Sequence, residues 1–208
     1  MRSISVMLTF FALFQIHVSA QNTATRSVSS FAQLAVAGGF DQVILQEGSV
    51  EMVRIETKNG DPDNVITEVK GSTLGVRMKN GSYNSGTYKL VVTYRQLEGV
   101  SSSGSTDIEA VSTIRGDKFE LSSSGSGNFK GTFDVKKLQV AISGSSDMKL
   151  AGRAEKQEIA ISGSGDIDAG ALSGSAADVA ISGSGDVKLH VDGPVQTSVS
   201  GSGNVHNY

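Results

Sequence analysis

The chain has 208 residues, of which 38% are hydrophobic, 25 are glycine and 31 are serine. It contains no cysteine, which excludes disulfide scaffolds, Cys-ligated zinc, iron–sulfur clusters and thiol nucleophiles. The formal net charge is −3, and basic residues are interspersed among the acids, so the sequence indicates no nucleic-acid partner. This much glycine and serine would indicate disorder in a chain without a period, but here both residues recur periodically.

The first twenty residues have the layout of a secretory signal peptide. Arg2 supplies a positive charge, the run from Val6 to Phe14 is apolar apart from Thr9, and Val18-Ser19-Ala20 gives the small-x-small pattern of a cleavage site. We therefore expect cleavage near Ala20 and export to the periplasm, the cell surface or the medium. No second long apolar stretch follows, so no membrane span is expected in the mature protein.

The first part of the mature chain is predicted to be irregular and all-β. Polar residues 21–30 are expected to form a mobile leader, and alternating segments in 31–96 predict six strands separated by turns rich in Gly, Asn and Asp. The interpretation leaves two arrangements open, which are longer coils or a small sheet packed on the end of the repeat region. The predicted strands are Gln33–Ala37, Phe40–Gln46, Glu51–Thr57, Asn64–Lys70, Thr73–Lys79 and Tyr88–Tyr94.

Residues 97–208 contain six related segments, each built around Ser-Gly-Ser. An alternating apolar stretch leads into the later turns, as in Leu138-x-Val140-x-Ile142, and a second one follows, as in Met148-x-Leu150. A period near 20 with two or three short strands is typical of one β-solenoid coil. The sequence predicts a parallel β-helix over 97–208, with 31–206 as one continuous unit. The first glycines of the segments are Gly104, Gly125, Gly144, Gly163, Gly183 and Gly201, at intervals of 21, 19, 19, 20 and 18 residues.

Stacking the repeats places one acidic or amide residue per coil in a single column. The favoured interpretation is structural, with each side chain bonding a backbone N–H two residues on while the motif glycines form the turns. No cofactor or metal is then expected. The alternative is a calcium column, because stacked carboxylates repel one another unless they are neutralised or hydrogen-bonded. The column consists of Asp107, Asn128, Asp147, Asp166, Asp186 and Asn204.

The sequence does not predict an enzyme. Removal of the signal peptide leaves His190 and His206, and neither accompanies a GxSxG elbow or an HExxH spacing. The clefts of β-helical polysaccharide lyases and galacturonases need basic residues and carboxylates clustered on one face, and the fold alone does not carry that function. Here the basic residues are scattered along the repeats, at Lys130, Lys136, Lys137, Lys149, Arg153, Lys156 and Lys188.

Several motifs, taken in chain order, carry a family resemblance. They are Phe31-x-x-Leu34-x-Val36, Phe40-Asp41-x-Val43-x-Leu45-x-Glu47-Gly48, the strands around Val53–Thr57 and Leu74–Met78, Val91-Val92-Thr93-Tyr94-x-x-Leu97 and the repeated SGSGD[IV]. Over residues 30–206 the chain resembles the auto-transporter adhesin family with the head GIN domain, found among secreted proteins of Bacteroidetes-type bacteria. Members more often have proline where this chain has Arg95. The resemblance implies a right-handed β-helix-like domain and an adhesive function, and it transfers no catalytic residues.

Two functional hypotheses of different classes follow. The first is a secreted, non-catalytic binding or adhesion module, whose long faces present repeated Ser, Asp and Lys to an extracellular or envelope glycan or protein. The alternative is a periplasmic structural or assembly protein that forms homo-oligomers through the ends of its β-helix. Retention on mucin, compared with self-association, distinguishes the two.

Overall fold

A computed structural model describes residues 21–81 and 86–208. The predicted signal peptide and its cleavage site lie outside the described residues. Strands account for 70% of the structure, and the chain forms a β-solenoid of about 5 turns preceded by irregular strands. In the part of the chain that the structure describes, no helix is long and apolar enough to cross a membrane.

All of the strands belong to one hydrogen-bonded sheet that winds around the solenoid. A single 3₁₀ turn, Pro62–Asn64, interrupts them in the described residues. The strands are β1 Gln21–Ser27, β2 Gln33–Gly38, β3 Gln42–Glu47, β4 Met52–Lys58, β5 Val65–Lys70, β6 Thr73–Met78, β7 Thr87–Tyr94, β8 Gly99–Gly104, β9 Ile108–Ala110, β10 Ile114–Gly125, β11 Phe129–Gly144, β12 Met148–Gly163, β13 Ile167–Gly174, β14 Ala176–Gly183, β15 Val187–Val191, β16 Val195–Gly201 and β17 Val205–Asn207.

The repeats stack as parallel coils in register, as the sequence predicted. Strand β11 pairs with β12 from Phe129↔Met148 to Gly144↔Gly163, so equivalent residues of successive repeats lie directly above one another. Successive side chains of a strand point to opposite faces, so the alternating apolar residues all point inward. They form continuous columns that no single repeat could bury alone. Two such columns contain Val140, Ile159 and Val179, and Ile142, Ile161 and Ile181, each at most 4% exposed.

The amino-terminal portion combines the two arrangements left open by the sequence. Strands β2 and β3 pair in parallel with β8 and β9, so they form a true coil of the solenoid. Strands β6 and β7 continue this stack on the other side. Antiparallel strands then cover the end, with β5 on β6 and β4 on β7. Such a cap covers strand edges that could otherwise pair with another chain.

The structure corrects the expectation of a mobile leader over residues 21–30. Residues Gln21–Ser27 form β1, which pairs antiparallel with β4 along its whole length. Arg26 fixes the strand further, because its guanidinium donates to the carbonyl oxygens of Val65 and of Pro62 (2.9 Å). Hydrogen bonds to β4, rather than burial of apolar side chains, hold this segment in place. Its sequence therefore lacks the apolar alternation from which a strand could be predicted.

Candidate functional site

The motif glycines form one corner of the solenoid. Gly163 has a φ of +144°, which favours glycine, and a Cβ there would lie 2.2 Å from the carbonyl oxygen of Gly144 in the preceding coil. The same close approach recurs along the column, where a Cβ at Gly183 would lie 2.0 Å from the oxygen of Gly163. The corner therefore depends on residues without a side chain, and it delivers the following Asp or Asn to the same position in every coil. The column comprises Gly104, Gly125, Gly144, Gly163, Gly183 and Gly201.

The acidic and amide residues form a hydrogen-bonded ladder along the solenoid axis, which we call the Asx ladder. Five of the six side chains, all except that of Asn204 in the last coil, accept a hydrogen bond from the backbone N–H of the equivalent residue in the next coil, instead of from a residue two positions on in the same turn. The bonds run from Asn128 N to Asp107 Oδ1 (2.9 Å), Asp147 N to Asn128 Oδ1 (3.1 Å), Asp166 N to Asp147 Oδ1 (3.1 Å), Asp186 N to Asp166 Oδ1 (2.8 Å) and Asn204 N to Asp186 Oδ1 (2.8 Å). Stacking directs the bonds this way because the amides of the next coil lie directly above.

We expect the ladder to stabilise the fold through its acceptor oxygen rather than through charge. Asp166→Ala should lower the free energy of unfolding by about 1 kcal/mol, because the N–H of Asp186 loses its partner. Asp166→Asn is the matched control and should cost much less, because Asn128 already fills the same role beneath Asp147. Urea denaturation of the two variants measures the difference.

The same variants test the calcium alternative. Within residues 21–81 and 86–208, no three or more His, Asp or Glu side chains are grouped to hold a metal ion. On the structural interpretation, calcium or EDTA should leave the melting temperature of the protein nearly unchanged. A calcium site at a hundredfold excess over its dissociation constant would instead stabilise by about 2.7 kcal/mol. A calcium-dependent rise in melting temperature that disappears in Asp166→Asn would overturn the structural interpretation.

A second outward column runs beside the ladder, two residues further along each strand. We call it the charged column, and it consists of Glu109, Lys130, Lys149, Asp168 and Lys188, paired in register from coil to coil. Two residues of a strand span about 7 Å, so the two columns run as parallel walls about that far apart. Only one ion pair is formed within the charged column among the described residues, from Lys130 Nζ to Glu109 Oε1 (2.8 Å).

An open groove of about 490 Å³ lies between these walls. Its sides are the Asx ladder from Asp107 to Asp166 and the charged column from Glu109 to Asp168. The ladder side chains have one oxygen fixed by the backbone and are exposed to solvent. The groove therefore offers a periodic row of fixed acceptors opposite lysines and carboxylates. The lysines are scattered in the sequence, but Lys130, Lys149 and Lys188 share one column in the structure.

A further cluster of charges lies around Glu158. Its carboxylate accepts from Lys137 (2.9 Å), Lys156 (3.0 Å) and Gln139 (2.6 Å), and Lys156 also pairs with Asp178 (3.0 Å). The hydrogen bonds from Lys137 and then Lys156 lower the pKa of Glu158 from 4.5 to about 2, against the opposing effect of partial burial. Because the pKa is lowered, the cluster stabilises the fold above about pH 4.5 and loses that contribution as the pH falls towards 2.

Two histidines, His190 and His206, lie among the described residues, on the paired strands β15 and β17. Both side chains are exposed. The ring of His206 packs against Tyr208 at a centroid distance of 4.3 Å. Neither histidine is a member of the groove lining described above.

Comparison with protein families identifies the relationship. Residues 30–208 match the family model described as "Putative auto-transporter adhesin, head GIN domain". The chain belongs to this family. The match covers the irregular strands as well as the repeats, so the head GIN domain comprises the cap, the coils, the Asx ladder and the groove.

Several solved bacterial structures share the fold of this chain. A "putative adhesin" from Bacteroides fragilis aligns with a TM-score of 0.81 at 22% identity, covering 91% of this chain and 97% of that one. A "putative adhesin" from Parabacteroides distasonis aligns with a TM-score of 0.67 at 20% identity, covering 91% and 98%. A "putative lipid binding protein" from the same species gives 0.65 at 19% identity, covering 90% and 96%. These similarities show a common fold, and no protein with a curated description matches the sequence.

Proposed function

We propose that this head GIN protein is an exported, non-catalytic binding module of the adhesin type, which presents the groove to a glycan or protein partner. The observation that carries the proposal is the open groove between two columns, the Asx ladder and the charged column, each of which stacks in register from coil to coil. A family described as adhesins supports export to the envelope or beyond and a partner outside the cell.

The groove can both accept and donate hydrogen bonds, as the hydroxyl groups of a glycan or the polar groups of a protein require. Ladder carboxylates and amides supply acceptors, whereas Lys130 and Lys149 on the opposite wall supply donors. The Asx side chains are already held by hydrogen bonds from the next coil, so binding immobilises few rotamers on that wall. Preorganisation of this kind reduces the entropic cost of association.

Retention on immobilised mucin tests the proposal. The double variant Lys149→Ala, Asp168→Asn changes the charged column without touching the ladder, and we expect it to weaken retention at least about tenfold, or 1.4 kcal/mol. The matched control is Lys136→Ala, Asp117→Asn, which removes an exposed ion pair (2.7 Å) outside the groove and should bind like the parent protein. Equal retention of the parent and both variants would contradict a role for the groove.

Assembly through the ends of the solenoid is the second candidate function. One observation favours it: Val199 of β16 is 43% exposed, although it pairs in register with Ile181, which is 2% exposed. Sedimentation of the mature protein separates the two candidates. Association that strengthens with protein concentration, without retention on mucin, would favour assembly over adhesion.

A further inference from the structure

One carboxylate in the cap is buried in an unusual way. Glu51 is 8% exposed and is the only buried Asp, Glu, Lys or Arg among residues 21–81 and 86–208. It immediately precedes β4 and continues the inward alternation of Val53 and Ile55, at a position that the pattern reserves for an apolar side chain. Acidic residues are almost never buried in proteins unless they are paired.

The hydrogen bonds that Glu51 accepts come from neutral groups. Its Oε1 accepts from the hydroxyl of Ser30 (3.1 Å) and from the backbone N–H of Phe31 (3.4 Å). Within the described chain, no cationic nitrogen lies within 4.0 Å of its carboxylate. Both donors are neutral, so the carboxyl group is held in a buried position without a cationic partner among the described residues.

The carboxylate lines an open cavity of about 590 Å³ at this end of the solenoid. Ser30, Phe31, Ala32, Ser72 and Arg95 also line the cavity. Arg95 is exposed, so its guanidinium adds positive charge at the cavity surface rather than a salt bridge to Glu51. None of these residues lines the groove between the Asx ladder and the charged column.

We propose that this cavity receives the side chain of a lysine from a protein partner, with Glu51 as the counter-ion of its ammonium group. A buried carboxylate is reached best by a charge on a long, flexible stem, and the four-carbon chain of lysine provides one. The stem lies against apolar surface from Phe31 and Ala32 while the head group meets the carboxylate. The site is independent of the groove and goes beyond the proposed function.

A titration followed by NMR tests the proposal with two matched probes. Nα-acetyl-lysine methylamide carries the charge, and its Nε-acetylated form has the same stem without it. We expect saturable shifts of the Phe31 and Ser72 amides with the first probe only. Glu51→Gln should abolish these shifts, whereas Glu68→Gln, at an exposed carboxylate of β5, should retain them.

Two further measurements distinguish a binding role from a structural one. Glutamine keeps the acceptor oxygen for Ser30 and Phe31 and removes the unpaired charge, so Glu51→Gln should not lower the melting temperature. The guanidinium of Arg95 has the same sign of charge as the ammonium group of the lysine probe. Arg95→Ala removes this repulsion and should tighten binding of the probe several-fold.

Five outcomes would overturn the proposal. They are equal shifts with both probes, no saturable shift with the charged probe, shifts that persist in Glu51→Gln, a melting temperature lowered by several degrees in Glu51→Gln, and loss of binding in Arg95→Ala. Glucosamine is the remaining probe, since its ammonium group is attached directly to a sugar ring. Binding of glucosamine without binding of the lysine probe would assign the cavity to an amino sugar and overturn the choice of a protein partner. The titrations and melting temperatures test the cavity at Glu51, whereas retention on mucin tests the groove. Either proposal can therefore fail without the other.

Discussion

Replacing Ile161 by aspartate is expected to lower the free energy of unfolding by about 4 kcal/mol. Ile161 is 2% exposed and lies between Ile142 and Ile181 in one apolar column, so the substitution buries a charge with no partner. The defect also separates the coils above and below it. Chemical denaturation followed by far-UV circular dichroism measures the change.

The neighbouring residue provides the control. Ser162 follows Ile161 on the same strand but is exposed on the opposite face. Ser162→Asp should therefore stay within about 0.5 kcal/mol of the parent protein. Equal effects of the two aspartates would mean that the apolar column does not form the core.

Substitution of a motif glycine is expected to have the second largest effect. Gly163→Ala should destabilise the protein by about 3 kcal/mol, because the alanine residue would have to adopt the left-handed backbone conformation of Gly163, at φ +144°. It also meets the oxygen of Gly144 at 2.2 Å, so the two coils must separate locally. The same denaturation experiment reports the loss.

Gly39→Ala is the matched control in the amino-terminal coil. A Cβ at Gly39 would contact nothing within 4 Å, and its φ lies outside the left-handed region. This variant should be nearly neutral or slightly stabilising, since alanine reduces the entropy of the unfolded chain. A Gly163→Ala protein as stable as Gly39→Ala would show that the coil corner can accommodate a side chain.

The solenoid could be predicted well from the sequence because every coil repeats the same alternation of apolar residues. Alternation such as Leu138-x-Val140-x-Ile142 recurs at nearly constant spacing, and each repeat confirms the register of the one before it. The single-residue irregularity between Lys149 and Ala151 of β12 was not predictable in this way. There the strand β13 accommodates Gly170 as an extra residue, and such a bulge leaves the apolar period intact on either side.

The candidate sites were predicted only in part. The sequence identified the Asx column, but the direction of its hydrogen bonds depends on which backbone amides lie above, which a linear pattern does not contain. The lysines appeared scattered because Lys130 and Lys149 are 19 residues apart in sequence and adjacent in register. Glu51 carried a usable signal, since it stands in phase with Val53 and Ile55, but a strand pattern alone does not reveal that an acid is buried.

The pairing of the amino-terminal coil with β8 and β9 affects the order in which the chain folds. The hydrogen bond from Phe40 to Thr106 joins residues 66 positions apart, whereas rungs of the ladder join residues 18 to 21 apart. Closing the longer loop costs about 1 kcal/mol more in chain entropy. Contacts of high sequence separation also slow folding. The strands β2 and β3 leave the ribosome early, yet one edge of each strand stays unpaired until β8 and β9 have been synthesised. Each later coil, in contrast, can pair at once with the coil that precedes it.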